Sequence, residues 1–357
     1  MPLIDAVPEK WRGDALRVAD AVRGLDHVLI AAHVNLDGDA LGSMAAAGWI
    51  FKALGREFTL YSPTGQPATL DFLPLPAKLH TSLSHLPFAP ESALLLDCDT
   101  PGRLGRELAA RVADFASVNI DHHLGGPGMG TLANWVVPDA AATAQLMAYV
   151  ALALGEPLTG RLADSVALGL ITDTGGFCHG NTTADVFELC ALLSRGGCRI
   201  SELREQLDSG WSMGRLHLWS RLLGRVRLAC DERVAVCPVF REDLRECHAS
   251  REEMEGLVDW FRRIKGVRVA ALLREEGVEC CKFSLRSRGK VDVRAMAMAL
   301  GGGGHRNAAG GTIDLPMAAA EGVLLETVGA ALEAQGLYNG RDGRAVRSDI
   351  AATAGAS

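Results

Sequence analysis

Four separate stretches of this sequence end in groups able to bind a cation. His33, Asp37 and Asp39 form H-x3-D-x-D in HVNLDGDALGS, and Asp97 closes the apolar run of LLLDCDTPGRLG. Asp121, His122 and His123 follow ASVNI, and Asp173 follows an apolar segment in GLITDTGGF. Taken singly, an Asx-rich loop after a strand is ordinarily a turn or a helix cap. Four such segments delivering acids and imidazoles to one edge are hard to explain as capping. A bimetal hydrolase needs two cation sites about 3.5 to 4 Å apart and a carboxylate that can bridge them. Oxygen and imidazole ligation without thiolate suits manganese better than structural zinc, with magnesium or cobalt as substitutes.

The elements that must position these groups are legible in the hydropathy pattern. Residues 27–35 read as a buried strand, and 40–54 as a helix closed by Gly55. EFTLY (57–61), SALLLD (92–97) and ASVNID (116–121) read as three further strands. Helical patterns cover 139–154, 161–170 and 183–194. The expected fold is therefore α/β: a doubly wound parallel sheet with helices on both faces, where ligands gather at the carboxyl ends of strands. A charged, helical connector is expected at 196–224. From 225 the pattern turns to strands (RVRLA, RVAVCPVF, VRVAALLREE, VECCKFSLRS) with helices near 254–264 and at 292–300, followed by the glycine-rich GGGGHRNAAGG. The expected organisation is a catalytic domain at 1–195, the connector, a smaller α/β substrate-binding domain at 225–337 and a disordered tail at 338–357.

A chain of 357 residues exceeds what one hydrophobic core serves, so two domains are expected on length alone. Net charge is -7 at pH 7, which disfavours long nucleic acid, whose phosphates recruit a broad basic surface. A nucleotide substrate should then be short. The most apolar stretch, 140–155, is broken by Thr143 and Gln145 and reads as a buried helix rather than a membrane span. MPLIDAVPEK carries neither a basic start nor a long apolar run, and nine cysteines lack any CxxC spacing. Export, a zinc site and a disulfide framework are thus not expected, and the cytoplasm is the expected compartment.

HVNLDGDALGS, LLLDCDTPGRLG, NIDHH and GLITDTGGF resemble, in order and spacing, the four motifs of the DHH phosphoesterases. FSLRS and GGGGHRNAAGG resemble the substrate-binding DHH-associated domain, and the likeness runs to about residue 336. Within that superfamily the chain looks most like the bacterial nanoRNase and pAp phosphatase group. The resemblance implies one metal on His33, Asp37 and Asp97 and a second on Asp39, Asp97, His122 and Asp173, with Asp97 bridging. His123 would face the substrate phosphate, and Asp121 would orient a histidine by accepting its other ring proton. Asn35 and Ser43 are weaker candidates, for a turn and a helix face. Leu36 stands where the family commonly has proline, which leaves the ligands intact.

In the second domain, Arg286 and Ser287 end FSLRS, and Gly302, Gly303, Gly304 and His305 follow a helix. Such a glycine run is ordinarily a cap or a loop. By the resemblance its backbone N–H groups would approach a phosphate that Arg286 holds bidentately and His305 helps to donate to. Arg288 and Arg306 read as solvated surface charges. Aromatic residues look sparse in this region, so little base readout is expected. The implied activity is hydrolysis of short oligoribonucleotides and of 3'-phosphoadenosine 5'-phosphate, with homodimerisation left open. A cyclic-dinucleotide phosphodiesterase is the alternative, and a nucleotide-binding regulator would lack a ligand that is present here. A family II pyrophosphatase would carry a lysine-rich second domain instead of GGGGHRNAAGG.

Overall fold

The computed structural model describes residues 2–124, 126–209 and 211–337, and the expected tail at 338–357 lies outside them. The chain forms two compact units that divide between residues 210 and 211.

In the first unit, helix α1 (Glu9–Arg23) precedes strand β1 (Val28–Ala31), α2 (Gly38–Ala53), β2 (Phe58–Tyr61), β3 (Leu79–His80) and β4 (Ser92–Leu96). Helix α3 (Arg106–Ala109), β5 (Ala116–Asp121), β6 (Ala133–Val136), α4 (Thr143–Leu154), α5 (Gly160–Asp173), α6 (Ala184–Arg195) and α7 (Ile200–Ser209) complete it. Every residue of β1 and β4 is buried, as befits central strands covered on both faces. Alternate residues serve opposite cores: Val28, Ile30, Leu94 and Leu96 join the larger cluster beneath the main helices, while Leu29, Ala31, Ala93 and Leu95 join a smaller one with Leu104 and Leu108. The six strands pair in parallel in the order β3-β2-β1-β4-β5-β6. The chain leaves β1 towards one edge and returns to β4 on the other side. Strand order therefore reverses between β1 and β4, where the carboxyl ends open a crevice.

The second unit contains α8 (Met213–Leu223), β7 (Arg227–Ala229), β8 (Val234–Val239), α9 (Arg241–Glu246), α10 (Leu257–Phe261) and β9 (Val269–Gly277). It continues with β10 (Cys280–Ser287), α11 (Val293–Ala299), β11 (Gly303–His305), β12 (Ala308–Ile313) and α12 (Met317–Ala334). Its sheet, β11-β12-β10-β9-β8-β7, is mixed, with only β8 and β9 parallel. Within the segment expected as a connector, α7 packs on the first unit's core through Leu203 and Leu207, and α8 packs into the second through Leu218, Trp219 and Leu222.

Several elements differ from the sequence expectation. The glycine-rich 301–311 is not a loop but two arms of a hairpin, because Gly302 and Gly310 let backbones meet where a Cβ would strike Gly310 O at 2.3 Å and Phe283 O at 2.6 Å. The helix expected at 254–264 is a 3-10 turn, Glu252–Met254, and the short α10, separated by Gly256 at φ +81°. Helices α1 and α12 and the short strands β3 and β6 were not anticipated. Among the described residues no helix is long and apolar enough to cross a membrane.

Helices α2 and α5 cross closely at two glycines. A Cβ on Gly42 would lie 2.5 Å from Ser165 O, and one on Gly169 would lie 2.5 Å from Ala144 Cβ and 2.6 Å from Asp39 Oδ1. Gly42→Ala and Gly169→Ala should each cost about 1 to 3 kcal/mol and lower Tm by several degrees, because overpacking outweighs alanine's better helix propensity. Gly13→Ala in α1, with nothing within 4 Å, should instead raise Tm slightly. Thermal unfolding followed by circular dichroism separates these signs.

Candidate metal centre

All eight acids and histidines singled out in the first unit lie at or near the carboxyl edge of the sheet. The loop leaving β1 brings His33, and the next turn caps α2 with Asp37, whose Oδ1 accepts from the N–H groups of Asp39 and Ala40 at 3.1 and 2.9 Å. Its other oxygen stays available, and the side chain is 47% exposed. His33 Nδ1 donates to Val34 O at 2.8 Å, which fixes the tautomer and leaves the Nε2 lone pair facing the acids. Nε2 lies 3.5 Å from Asp37 Oδ2 and 3.3 Å from Asp97 Oδ2, is buried, and is aligned with neither as a hydrogen bond. A lone pair aimed at two carboxylates is stable only with a proton or a metal cation between them, so these donors fit a cation.

Asp97 leaves β4 with φ +52°, a left-handed backbone unusual outside glycine. Its N–H donates to Ile120 O at 3.0 Å, and its Oδ1 accepts from the Thr143 hydroxyl at 2.9 Å. Asn119 supports the same loop by donating to Leu95 O and Cys98 O. Asp39, wholly buried, accepts from the N–H groups of Thr143 and Ala144 at 2.6 and 2.9 Å, so the N-terminus of α4 grips it. The Ser43 hydroxyl also reaches Asp39, at 3.3 Å.

His122 Nε2 stands 3.1 Å from Asp173 Oδ2, 3.5 Å from Asp97 Oδ1 and 3.7 Å from Asp39 Oδ2. Asp121 Oδ1 accepts from His123 Nδ1 at 2.8 Å and from the His122 N–H at 2.9 Å. Potential ligand atoms lie within 4.8 Å of one another in the trios His33, Asp37, Asp97 and Asp39, Asp97, His122, and Asp97 belongs to both. Asp97, Asp121 and His123 make a further trio.

The electrostatics follow from crowding in a buried place. Burial alone would lower the His33 imidazole, but Asp37 and Asp97 outweigh it and raise its pKa to about 11. Burial would raise Asp97, yet His33, His122 and His123 hold it well below the carboxylate range. Asp39 is pushed well above that range by burial and then by the charges of Asp97 and Asp173. Asp173 rises to about 6, through burial first, with His122 opposing and Asp37 and Asp97 adding. The cluster carries more negative charge than its own histidines neutralise.

Asn35 serves a turn, with φ +56° and its N–H on the Thr64 hydroxyl, and the buried Leu36 ties the same loop to the core. Sequence reading missed Thr143, Asn119 and the pair His179 and Asn181, which donate to the Asp173 carbonyl at 3.2 and 3.1 Å. Asn119 did carry a signal, as a polar residue inside an apolar strand.

The other candidates lie in the second unit. Arg286, Ala308 and His305 pair in register across β10, β12 and β11. Directly opposed residues share a face, so Arg286 and His305 flank the small Ala308 at about 10 Å, two strand spacings. Gly303 and Gly304 belong to β11, the edge strand. Ser287 is buried, its hydroxyl donating to Val291 O and accepting from Asn307, so it supports the strand end instead of facing a ligand. Arg288 and Arg306 are exposed, as expected.

A parallel sheet with clustered acids and imidazoles at its switch point, in a chain that also carries a separate mixed-sheet unit, has the donor set that metal-assisted hydrolysis requires. Residues 27–170 match the DHH family, N-terminal domain, and residues 232–334 match the DHHA1 domain. The chain belongs to the DHH family of phosphoesterases. It is 35% identical over 310 residues to the bifunctional oligoribonuclease and PAP phosphatase NrnA of Thermus thermophilus, covering 86% of this chain and 90% of that protein. The NrnA of Bacillus subtilis is 24% identical, over 81% of this chain and 90% of its own length. In fold, an exopolyphosphatase-related protein from Bacteroides fragilis superposes with a TM-score of 0.81 at 24% identity, covering 90% of this chain and 98% of that one.

A pKa raised from 3.8 to about 6 means that ionised Asp173 opposes folding of the metal-free protein. That penalty is absent below about pH 4 and complete above about pH 6. In chelator, Asp173→Asn should therefore match wild type in stability near pH 4 and exceed it by up to about 3 kcal/mol at pH 7.5. Melting curves across this range test the sign, and a difference that does not grow with pH would contradict the crowding described.

Proposed function

We propose that this chain is a manganese-dependent two-metal phosphoesterase that hydrolyses short oligoribonucleotides to mononucleotides and 3'-phosphoadenosine 5'-phosphate to AMP. The observation that carries the reading is Asp97, a buried carboxylate that belongs to both trios of potential ligands at the switch point of the sheet. One cation would be held by His33, Asp37 and Asp97, the other by Asp39, Asp97, His122 and Asp173. When bound, the pair supplies Lewis-acid polarisation of the phosphoryl oxygens and lowers the pKa of water. The substrate class is supported by likeness to proteins named oligoribonuclease and PAP phosphatase.

The chain's own groups have distinct tasks in this reading. Val34 O and Ala140 O hold the Nδ1 sides of His33 and His122, so each presents Nε2. Thr143 aims Asp97. Asp121 orients His123, which would stabilise charge on the phosphate or protonate the leaving oxygen. In the second domain, taken as residues 225–337 beyond a catalytic domain at 1–195 and its connector, Arg286 and His305 would hold a phosphate remote from the cleaved bond. Ser287 would brace the strand that carries Arg286. All nine cysteines are free, which a reducing compartment permits and which supports a cytoplasmic location.

Chelation should abolish hydrolysis and added manganese should restore it. Asp97→Ala removes the shared ligand and should lower turnover by at least ~100-fold. Undiminished turnover after exhaustive chelation, or a folded Asp97→Ala protein with near-normal rates, would defeat the two-metal reading.

Arg286→Ala should separate substrate types. Losing a charge-assisted phosphate contact costs about 2 to 4 kcal/mol, or on the order of 30- to 1000-fold in kcat/KM, on dinucleotides and 3'-phosphoadenosine 5'-phosphate. Bis-p-nitrophenyl phosphate has no second phosphate to engage, so the loss there should be far smaller. Equal losses on both substrate types would assign Arg286 to the fold.

A further inference from the structure

Three of the six tryptophans gather on the second unit, where the sequence suggested few aromatic platforms. Trp219, on α8, is buried and fixed by its Nε1 donating to Glu253 O at 2.8 Å. Trp211 lies against it with centroids 4.6 Å apart, and Trp260, on α10, meets its edge at 6.1 Å. The outer two are 41% and 48% exposed. Each carries a guanidinium over a face: Arg215 is 4.5 Å from the Trp211 centroid and 5.1 Å from Trp219, and Arg263 is 4.8 Å from Trp260. The strip adjoins the phosphate candidate, because Asp259, the residue before Trp260, lies 3.2 Å from Arg262 Nε and 3.7 Å from Arg286 Nε.

We propose that Trp211 and Trp260, braced by Trp219, form a base-stacking strip for single-stranded oligoribonucleotide, with Arg215 and Arg263 facing its phosphates. The proposal rests on the reading of the chain as an oligoribonuclease and adds the surface that holds bases. Indole faces paired with guanidinium groups suit bases and phosphates in alternation, and stacking tolerates any base. Arg215 is half-buried, donates to Glu255 O at 2.8 Å and lies beside the charges of Glu253 and Glu255, so the indole faces rather than a net positive charge are what the strip offers a base. This fits a protein of net charge -7. Substrates with more nucleotides should gain more from the strip.

The test compares wild type with Trp260→Ala, Trp260→Phe and Trp211→Ala. Binding of a fluorescein-labelled pentaribonucleotide to the chelated protein is read by anisotropy. KM is measured in manganese for di- and pentaribonucleotides and for bis-p-nitrophenyl phosphate. Each alanine variant should weaken pentanucleotide binding and raise its KM by roughly 5- to 100-fold, with Trp260→Phe retaining most of both and bis-p-nitrophenyl phosphate affected far less. Undiminished pentanucleotide binding in Trp260→Ala, or an equal KM rise on all substrates, overturns the strip. Weakened binding in the variants alongside a wild type that cleaves no oligoribonucleotide would support the strip and sink the activity reading instead. A dimeric wild type and a monomeric Trp211→Ala with unaltered RNA binding would assign the surface to self-association and also overturn the proposal.

Discussion

Four aspartates converge on a buried edge with too little positive charge of their own, and the rest of the first unit is arranged around that repulsion. Asp97 concentrates it: a buried carboxylate approached by three imidazoles, on a backbone with φ +52° that costs about 1 to 3 kcal/mol to hold. The surroundings sustain that conformation through the Ile120 carbonyl, the Thr143 hydroxyl and the Asn119 amide. Such strain persists where the structure over-determines it, and here it sets one carboxylate between two groups of candidate ligands.

The fold supplies the favourable electrostatics that the side chains lack. Asp39 receives two backbone N–H groups at the start of α4, where the helix dipole favours an anion. Those amides arrive only because α2, α4 and α5 pack closely, and Gly42 and Gly169 permit the approach. Packing and charge placement are thus coupled: a methyl group at Gly169 would press on the Asp39 carboxylate itself.

The second unit solves a different problem, presenting polar groups on a sheet that needs two cores. One face buries Cys281, Phe283 and Leu285 under α11 and α12, and on the other α8 and α10 seal Ala270 and Leu272. That second seal ends at β9, and the row through Arg286, Ala308 and His305 continues on the neighbouring strands. Trp219 and Trp260 lie on the sealing helices and Trp211 just before α8, beside this row through Asp259.

The sequence by itself determined the catalytic class, because the candidate acids and histidines sit in short motifs that follow apolar strands or, for Asp173, end an apolar helix. The periodicities of β1, β4 and β5 and of α2, α4, α5 and α6 were legible for the same reason: local pattern and burial agree in central elements. Strands β3 and β6 escaped because their sheet positions depend on neighbours rather than on their own pattern, and the 301–311 glycines looked like a loop because contact with Gly310 and Phe283 is non-local. The grip of α4 on Asp39 and the gathering of Trp211, Trp219 and Trp260 join residues from different elements, some more than a hundred positions apart. Only the tertiary structure decided these, since such contacts are set by strand order and helix packing, which no local run of residues encodes.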